Sequence, residues 1–389
     1  MMEERRRYIG EEFKKLYGKR PTIWARAPGR VDLMGSHTDY NMGFVMTMTI
    51  DRDTWLAANP REDGRVTIHS CNASGGASFS LDDIQRDEEV PWTNYIRGIA
   101  AALKESGYCL LGFDGLVHST IAFGSGLSSS AAIEMAAALI FTTISGLEIG
   151  LVDLALLGQK AENEFVGVRT GILDQYSSIM GQQGCAILLD CRQLTSEIVP
   201  MNPGMQVVIC NTRAERNLVG TEYDERHEQC EAGVRFLQRF YPEITALRDV
   251  TPDMLKRHRR AMPVVIARRC QFIVEENQRV LDLYEILPED HPGLLHDLFT
   301  ASYRGARDLY EIGAPSMAAM FHAMSTAPGV IASRQAGAGF GGSMVALVKA
   351  GYLDQFTKHV TKSYQQETRI QPEVYSVESA PGAMILEWV

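Results

Sequence analysis

The sequence contains no CxxC pair and no Cys/His group at the spacing that ligates zinc, so a structural zinc site is not expected. Its cysteines, at 71, 109, 185, 191, 210, 230 and 270, are odd in number. That argues against a disulfide framework and for reduced thiols in the cytoplasm. No apolar run reaches bilayer-spanning length: the longest rich stretch, Ala131 to Ile144, is short and carries Glu134. The first residues, Met1-Met2-Glu3-Glu4-Arg5-Arg6-Arg7, have charge but no apolar segment behind them, so no signal peptide is expected. Positive charge is the minority sign, with 38 Lys and Arg against 48 Asp and Glu and a net charge of −10. This disfavours nucleic acid or an anionic membrane as the main partner. Within so acidic a chain, Lys256-Arg257-His258-Arg259-Arg260 with Arg268-Arg269 reads as a solvated helix face. The scattered histidines have no HxxxH spacing, so no transition-metal site is expected. Repeats and low-complexity linkers are absent.

What is present is an ordinary globular balance, 45% apolar and 22% charged over 389 residues. That suits two or three domains, or two large ones, each able to bury a core. The patterning predicts a helix over 3–17, then Trp24-Ala25-Arg26-Ala27 leading into a Gly/Pro turn. Strands are expected near 44–58, 65–70, 115–121, 185–190, 206–211 and 343–348. Helices are expected over 128–141, 151–165, 224–240, 267–287, 293–310 and 315–324. Strands and helices mix without βαβ alternation, which favours an α+β fold. Pro200-Met201-Asn202-Pro203-Gly204 is the best candidate hinge.

Four segments carry chemistry. In Thr120-Ile-Ala-Phe-Gly124-Ser125-Gly126-Leu127-Ser128-Ser129-Ser130-Ala131-Ala132, an expected strand enters a Gly/Ser loop that opens into an alanine-rich helix. Glycine-rich backbone and a helix N-terminus present unpaired N–H groups to an anion, and serine hydroxyls reach phosphate or magnesium. The bland alternative is a serine N-cap after a glycine turn. The usual P-loop is missing, because Gly18-Lys19 has no glycine at the required upstream spacing. A second segment, Arg26-Ala-Pro28-Gly29-Arg30-Val31-Asp32-Leu33-Met34-Gly35-Ser36-His37-Thr38-Asp39-Tyr40-Asn41, suits a hydroxyl-rich ligand beside a cation, or else a loop of solvated charges. The third, Arg334-Gln-Ala-Gly337-Ala338-Gly339-Phe340-Gly341-Gly342-Ser343, satisfies GxGxxG literally. A strand follows it where the dinucleotide fingerprint needs a helix, so that reading is rejected, and a second glycine loop that lets backbone pack tightly near the phosphate site is left. The fourth, Ala161-Glu162-Asn163-Glu164-Phe165 through Gly171-Ile172-Leu173-Asp174-Gln175, supplies carboxylates for a metal and a hydroxyl, although a lone acid such as Glu164 is more often a solvated face.

In this order the four segments resemble the galactokinase branch of the GHMP small-molecule kinases. Trp92-Thr-Asn-Tyr95-Ile-Arg-Gly98, Asn217-Leu-Val-Gly220-Thr-Glu222-Tyr223 and Arg307-Asp308-Leu-Tyr310-Glu311 add to the likeness, which runs from about residue 10 to 389. The resemblance implies a two-domain α+β GHMP kinase, with a ribosomal-S5-domain-2-like domain over 1–204 and a ferredoxin-like domain over 205–389. The active site would lie in the cleft between them. It implies transfer of the ATP γ-phosphoryl to the C1 hydroxyl of a galactose-like sugar in a cytoplasmic monomer. Asp174 and Arg30 would be the catalytic pair. Ser36, His37, Asp39, Gly171 and Tyr223 would hold the sugar. Trp92 and the loop Gly124, Ser125, Gly126, Leu127, Ser128, Ser129 and Ser130 would hold the nucleotide, and Ser130 with Glu162 would hold Mg2+.

The sequence also departs from the family. Ser36 stands where the family has the acid that contacts the sugar's C6 hydroxyl, Asp32 where Asn is usual, and Ala122 where proline is. Arg169 and Arg213 replace uncharged residues, and Glu215 a basic one. An arginine can pair with an acid, so a sugar with a C6 carboxylate such as galacturonate is the alternative substrate, as is an arabinose-type pentose that lacks C6. Ser36 could instead reach C6 through a water. A sugar sensor without catalysis is disfavoured, because Ser128-Ser129-Ser130-Ala131-Ala132 is uninterrupted and Arg30, Glu162 and Asp174 are all present.

Overall fold

The computed structural model describes residues 2–214 and 219–387. Helix α1 (Met2–Tyr17) precedes strands β1 (Ile23–Met34), β2 (Phe44–Arg61), β3 (Arg65–Ser70) and β4 (Ala77–Ser80). Helix α2 (Asn94–Glu105), strand β5 (Gly112–Ser119) and helices α3 (Ser129–Ile144), α4 (Leu151–Lys160) and α5 (Leu173–Met180) follow, and then β6 (Cys185–Asp190) and β7 (Thr195–Pro200). These strands make one sheet, antiparallel except where β3 runs parallel to β5.

The expected turn at Pro28-Gly29 is instead strand. β1 runs through both residues, and its register against β2 slips between Pro28 and Arg30. Proline has no N–H for a ladder, and a bulge is where a central strand tolerates it. A β-carbon on Gly29 would lie 2.6 Å from the Leu127 carbonyl oxygen, so glycine lets the strand touch the Gly/Ser loop. The sequence pattern saw two turn formers and could not see the neighbour that requires them.

The second half opens with β8 (Met205–Asn211) and helices α6 (Val219–Leu237), α7 (Pro252–His258), α8 (Val264–Ile286), α9 (Pro292–Asp308) and α10 (Pro315–Ser325). β9 (Val330–Gln335), β10 (Ser343–Lys349), α11 (Leu353–Thr368) and β11 (Glu373–Val377) complete a four-stranded antiparallel sheet ordered β11-β8-β10-β9. That is the βαββαβ plan of a ferredoxin-like unit, with an enlarged first helical crossover. The fold is α+β, as expected. The short strand β12 (Met384–Ile385) returns to the first sheet and pairs with β1.

Most expected elements lie within a few residues of their observed bounds. The expected helix over 151–165 changes character at Ala161, where α4 gives way to a π-helical turn over Ala161–Val166. Such widened turns recur at functional sites, and this one carries Glu162.

The main core lies between the first sheet and α2, α3 and α5. Ala132, Ala136 and Phe141 of α3 pack on Ala27, Val31 and Leu56, and Val280, Leu283 and Phe299 of α8 and α9 join the same core. Small α3 residues let the helix sit close to the strands, and each large buried side chain contributes about 1.5–3 kcal/mol. On the other face of the sheet α1 buries Ile9 and Phe13 against Trp24 and Trp55. The two glycine loops meet where the sheets approach: Ser343 N–H donates to the Ser125 carbonyl (3.1 Å) and Asp32 N–H to that of Ala336 (3.4 Å).

Candidate active site

Arg30 is the centre of the site, and its setting follows from the bulge that turns β1 toward the Gly/Ser loop. Its Nη1 donates to the Gly126 carbonyl at 2.8 Å and its Nε to Asp174 Oδ1 at 2.8 Å, with Nη2 2.5 Å from the same oxygen. Asp174 sits in the first turn of α5, which Ser178 ties to β1 by donating to the Pro28 carbonyl at 2.7 Å. The expected catalytic pair is therefore one ion pair against the expected phosphate loop.

The loop is built for a ligand and not for a cap. Gly124, Gly126 and Ser128 are all left-handed, at φ 68°, 81° and 59°. Ser128 precedes α3 without making a capping bond, and its buried hydroxyl has no hydrogen-bond partner among the described residues. That removes the N-cap alternative, and a buried orphan hydroxyl at a helix N-terminus is what an anion would satisfy. Ser125 donates to the Ala122 carbonyl at 2.7 Å, and the Leu127 side chain joins the main core. Both side chains anchor the loop. Ser129 and Ser130 face a cavity of about 200 Å³ that Trp92, Tyr95 and Phe123 also line. The buried Trp92 Nε1 has no hydrogen-bond partner among the described residues. An aromatic slot with a spare donor fits a planar heterocycle.

Glu162 is buried beneath the loop. Its Oε2 accepts from Thr170 Oγ1 and from Gln175 Nε2, both at 2.8 Å, and Ser130 hydrogen-bonds the same carboxylate. Burial, followed by the charge of Asp174, raises its pKa. One hydroxyl and one carboxylate are hard oxygen donors, the set that suits a magnesium ion keeping several of its waters.

On the other side of Arg30, Asp39 opens a 3₁₀ turn, and Gly171 lies directly against it: a β-carbon on Gly171 would fall 1.9 Å from Asp39 Oδ2. Any larger residue at 171 would push the carboxylate away. Burial, the largest cause, lifts the Asp39 carboxyl to about 7, with Asp174 and Asp32 adding to the rise and a bond from the Tyr40 backbone opposing it. Because the folded pKa lies above the unfolded value, the stabilisation is complete below about 3.9 and is lost as pH rises through 7. Asp39→Asn is therefore expected to unfold at a higher temperature than wild type at pH 8, with the gap closing toward pH 4. A gap that stays constant across that range would contradict the assigned burial of charge.

His37 lies two residues before that turn, in a left-handed conformation at φ 66°. The Ala338 carbonyl 2.8 Å from Nε2 can only accept, so Nε2 carries the proton. Burial holds the imidazole neutral, with a pKa down to about 4. Nδ1 must then accept from Tyr40 (2.8 Å), Tyr40 from Tyr310 (2.7 Å), and Tyr310 from the Cys230 thiol (3.1 Å). Both ring nitrogens are thus committed within the protein. The His37 ring packs 5.1 Å from that of Tyr223 on α6, so the two expected sugar residues are brought together, His37 as a wall.

Ser36 is also buried and engaged: it donates to the Gly337 carbonyl (3.2 Å) and accepts from Arg334 Nη2 (2.9 Å). Arg169 is exposed on the rim of a cavity of about 560 Å³ that Asp39 and Gly171 also line. Arg213 is exposed, its N–H donating to Asn211 Oδ1 at 3.0 Å. Glu215 and the Asn217-Leu218 part of the family-like stretch lie outside the described residues.

Sequence reasoning gave no role to Glu134, Gln175, Glu276 or Arg334. Gln175 Nε2 bridges the buried carboxylates of Glu134 (2.9 Å) and Glu162. The lone charge in the alanine-rich stretch 131–144 was the signal that could have singled out Glu134. Arg334 heads the third glycine-rich segment, but nothing in the sequence pairs it with Glu276, 58 positions away, which it meets only in three dimensions.

Residues 11–60 match the galactokinase galactose-binding signature, and residues 94–182 match the N-terminal domain of GHMP kinases. The chain is 39% identical over 374 residues to a galactokinase of Roseiflexus sp. (strain RS-1), covering 96% of this chain and 95% of the relative. It is 39% identical to one of Chloroflexus aggregans, covering 93% of each. The structure of Lactococcus lactis galactokinase complexed with galactose superposes with a TM-score of 0.93 at 30% identity, covering 98% of this chain and 99% of that one. The α+β fold and its phosphate-loop site define a GHMP kinase. Identity at that level, over nearly the whole length of the relatives, places it more narrowly: the chain belongs to the galactokinase family.

Proposed function

We infer that this protein transfers the γ-phosphoryl of ATP to the anomeric C1 hydroxyl of galactose, giving galactose 1-phosphate and ADP. The observation that carries the reading is the Arg30–Asp174 pair, set between the Gly126 carbonyl and the Asp39–Gly171 contact. Asp174 orients the C1 hydroxyl and takes its proton, and Arg30 stabilises the charge on the phosphoryl in flight. Phosphoryl transfer has a loose transition state, so alignment and charge matter more than strong base catalysis. Asp39 and Tyr223 face the sugar hydroxyls, and His37 and Ser36 hold the walls. Trp92 takes the base, and the backbone from Gly124 to Leu127 with the hydroxyls of Ser128, Ser129 and Ser130 takes the phosphates. Ser130 and Glu162 would hold Mg2+, which neutralises phosphate charge when bound.

Galactose is preferred over a C6-altered sugar because Ser36 already spends its hydroxyl on Gly337 and Arg334. Every group named comes from one chain, which suits a monomer. No helix among the described residues is long and apolar enough to cross a membrane, in keeping with the proposed cytoplasmic setting. The break between domains belongs at 204/205, where β7 has ended in the first sheet and β8 starts the second. The test is ADP release with MgATP and galactose, galacturonate, arabinose or glucose, ranked by kcat/KM. Galactose should lead by at least about tenfold, roughly what one charge-assisted hydrogen bond is worth. A higher kcat/KM for galacturonate or arabinose would reassign the substrate, and binding without turnover would make the protein a sensor.

A further inference from the structure

Arg30 has a second carboxylate beside it. Asp32, two residues along β1, places Oδ1 3.1 Å from Arg30 Nε. The single Nε hydrogen is aimed at Asp174, so Asp32 Oδ1 is buried without a hydrogen-bond partner among the described residues. We propose that Asp32 is a positioning residue that sets how much of Arg30's charge reaches the phosphoryl group: ionised, it withdraws that charge, and protonated, it releases it. The inference rests on the reading that Arg30 faces the phosphoryl.

The surroundings favour a proton-carrying Asp32. From α5 it faces Asp174, from α8 Glu276, from the 3₁₀ turn Asp39 and from α6 Tyr223, and the cations that act on it most among the described residues are Arg30 of its own strand and Arg334 of β9. Arg334 is already paired with Glu276 at 3.2 Å and reaches Asp32 only at the backbone carbonyl, 3.4 Å away. Burial is the largest influence and lifts the carboxyl to about 6, with Arg30 opposing and Asp174 reinforcing. A phosphate arriving at Arg30 adds negative charge beside it and draws in a further proton. By linkage, ATP must then bind more tightly to the protonated form.

The test is kcat/KM for MgATP at saturating galactose, for wild type and Asp32→Asn, from pH 5 to 8. Asparagine mimics the protonated carboxyl, so the ratio of variant to wild type is expected to rise roughly tenfold across a midpoint near 6, within the usual range for coupled sites. A role confined to holding the fold would lower the variant at every pH and leave the ratio flat, which would overturn the inference. Calorimetry with a non-hydrolysable ATP analogue and magnesium, in two buffers of different ionisation enthalpy, reads the proton directly. Wild type at pH 7 should take up more protons than Asp32→Asn; equal uptake would also overturn it. An Arg30→Ala protein with undiminished turnover would sink the functional reading instead, so the two failures are distinguishable.

Discussion

Asp174→Asn is expected to fold as wild type does and to turn over galactose about 10²–10⁴-fold more slowly, the usual contribution of a positioned acid or base. Asparagine keeps the size of the side chain and suits the first turn of α5. It cannot accept the C1 proton, and it gives up the charge-assisted bond to Arg30. Arg30 would not be stranded, because Asp32 and the Gly126 carbonyl remain within reach. The loss should therefore fall on kcat, with little change in the KM for sugar, since Asp39, Gly171 and Tyr223 are untouched. A folded Asp174→Asn enzyme within tenfold of wild-type kcat would remove Asp174 from the chemistry.

Much of this site was legible in the sequence because its parts are local. The Gly/Ser loop opening a helix, an acid in the turn beyond a helix end, and an arginine beside glycines all show in short windows, and the structure brings them to one point, although the helix that starts at Leu173 and carries Asp174 was not expected. What stayed hidden is non-local. Nothing near Pro28 and Gly29 says that the Leu127 carbonyl will press on them and that β1 will continue through a bulge. Nothing near His37 says that the Ala338 carbonyl, 301 positions away, fixes its tautomer and turns a candidate ligand into a wall. The same is true of Ser36, whose hydroxyl is taken by Arg334 from the second sheet. Short patterns reveal which groups can do chemistry. Whether a group is free to do it depends on partners that only the fold supplies.

Those partners meet at Glu276, where the second large effect is expected. Its carboxylate accepts from Gly35 N–H (3.1 Å), Ser302 Oγ (2.8 Å), Arg279 Nε (2.8 Å) and Arg334 Nη2 (3.2 Å), wholly out of solvent. Burial works against its charge, but the two guanidiniums prevail and its pKa falls. Glu276→Gln removes the one anion between two buried cations. Breaking such a pair costs about 3–5 kcal/mol, more than the pair adds over an apolar replacement. The unfolding midpoint should drop on the order of 10 °C at neutral pH. Because a depressed carboxylate stabilises only above its unfolded pKa, the difference should shrink as pH falls below about 4.3. The double variant Glu276→Leu with Arg334→Met should recover part of the lost stability, since it removes one of the two cations and Arg279 keeps Glu275 3.5 Å away. It should not recover sugar affinity, because Gly35 and Ser36 would lose the contacts that fix the loop leading to His37 and Asp39. Stability restored together with a wild-type KM for galactose would show that the buried network holds the fold without shaping the sugar site. Stability restored with a raised KM would show that the charges are there to set the loop.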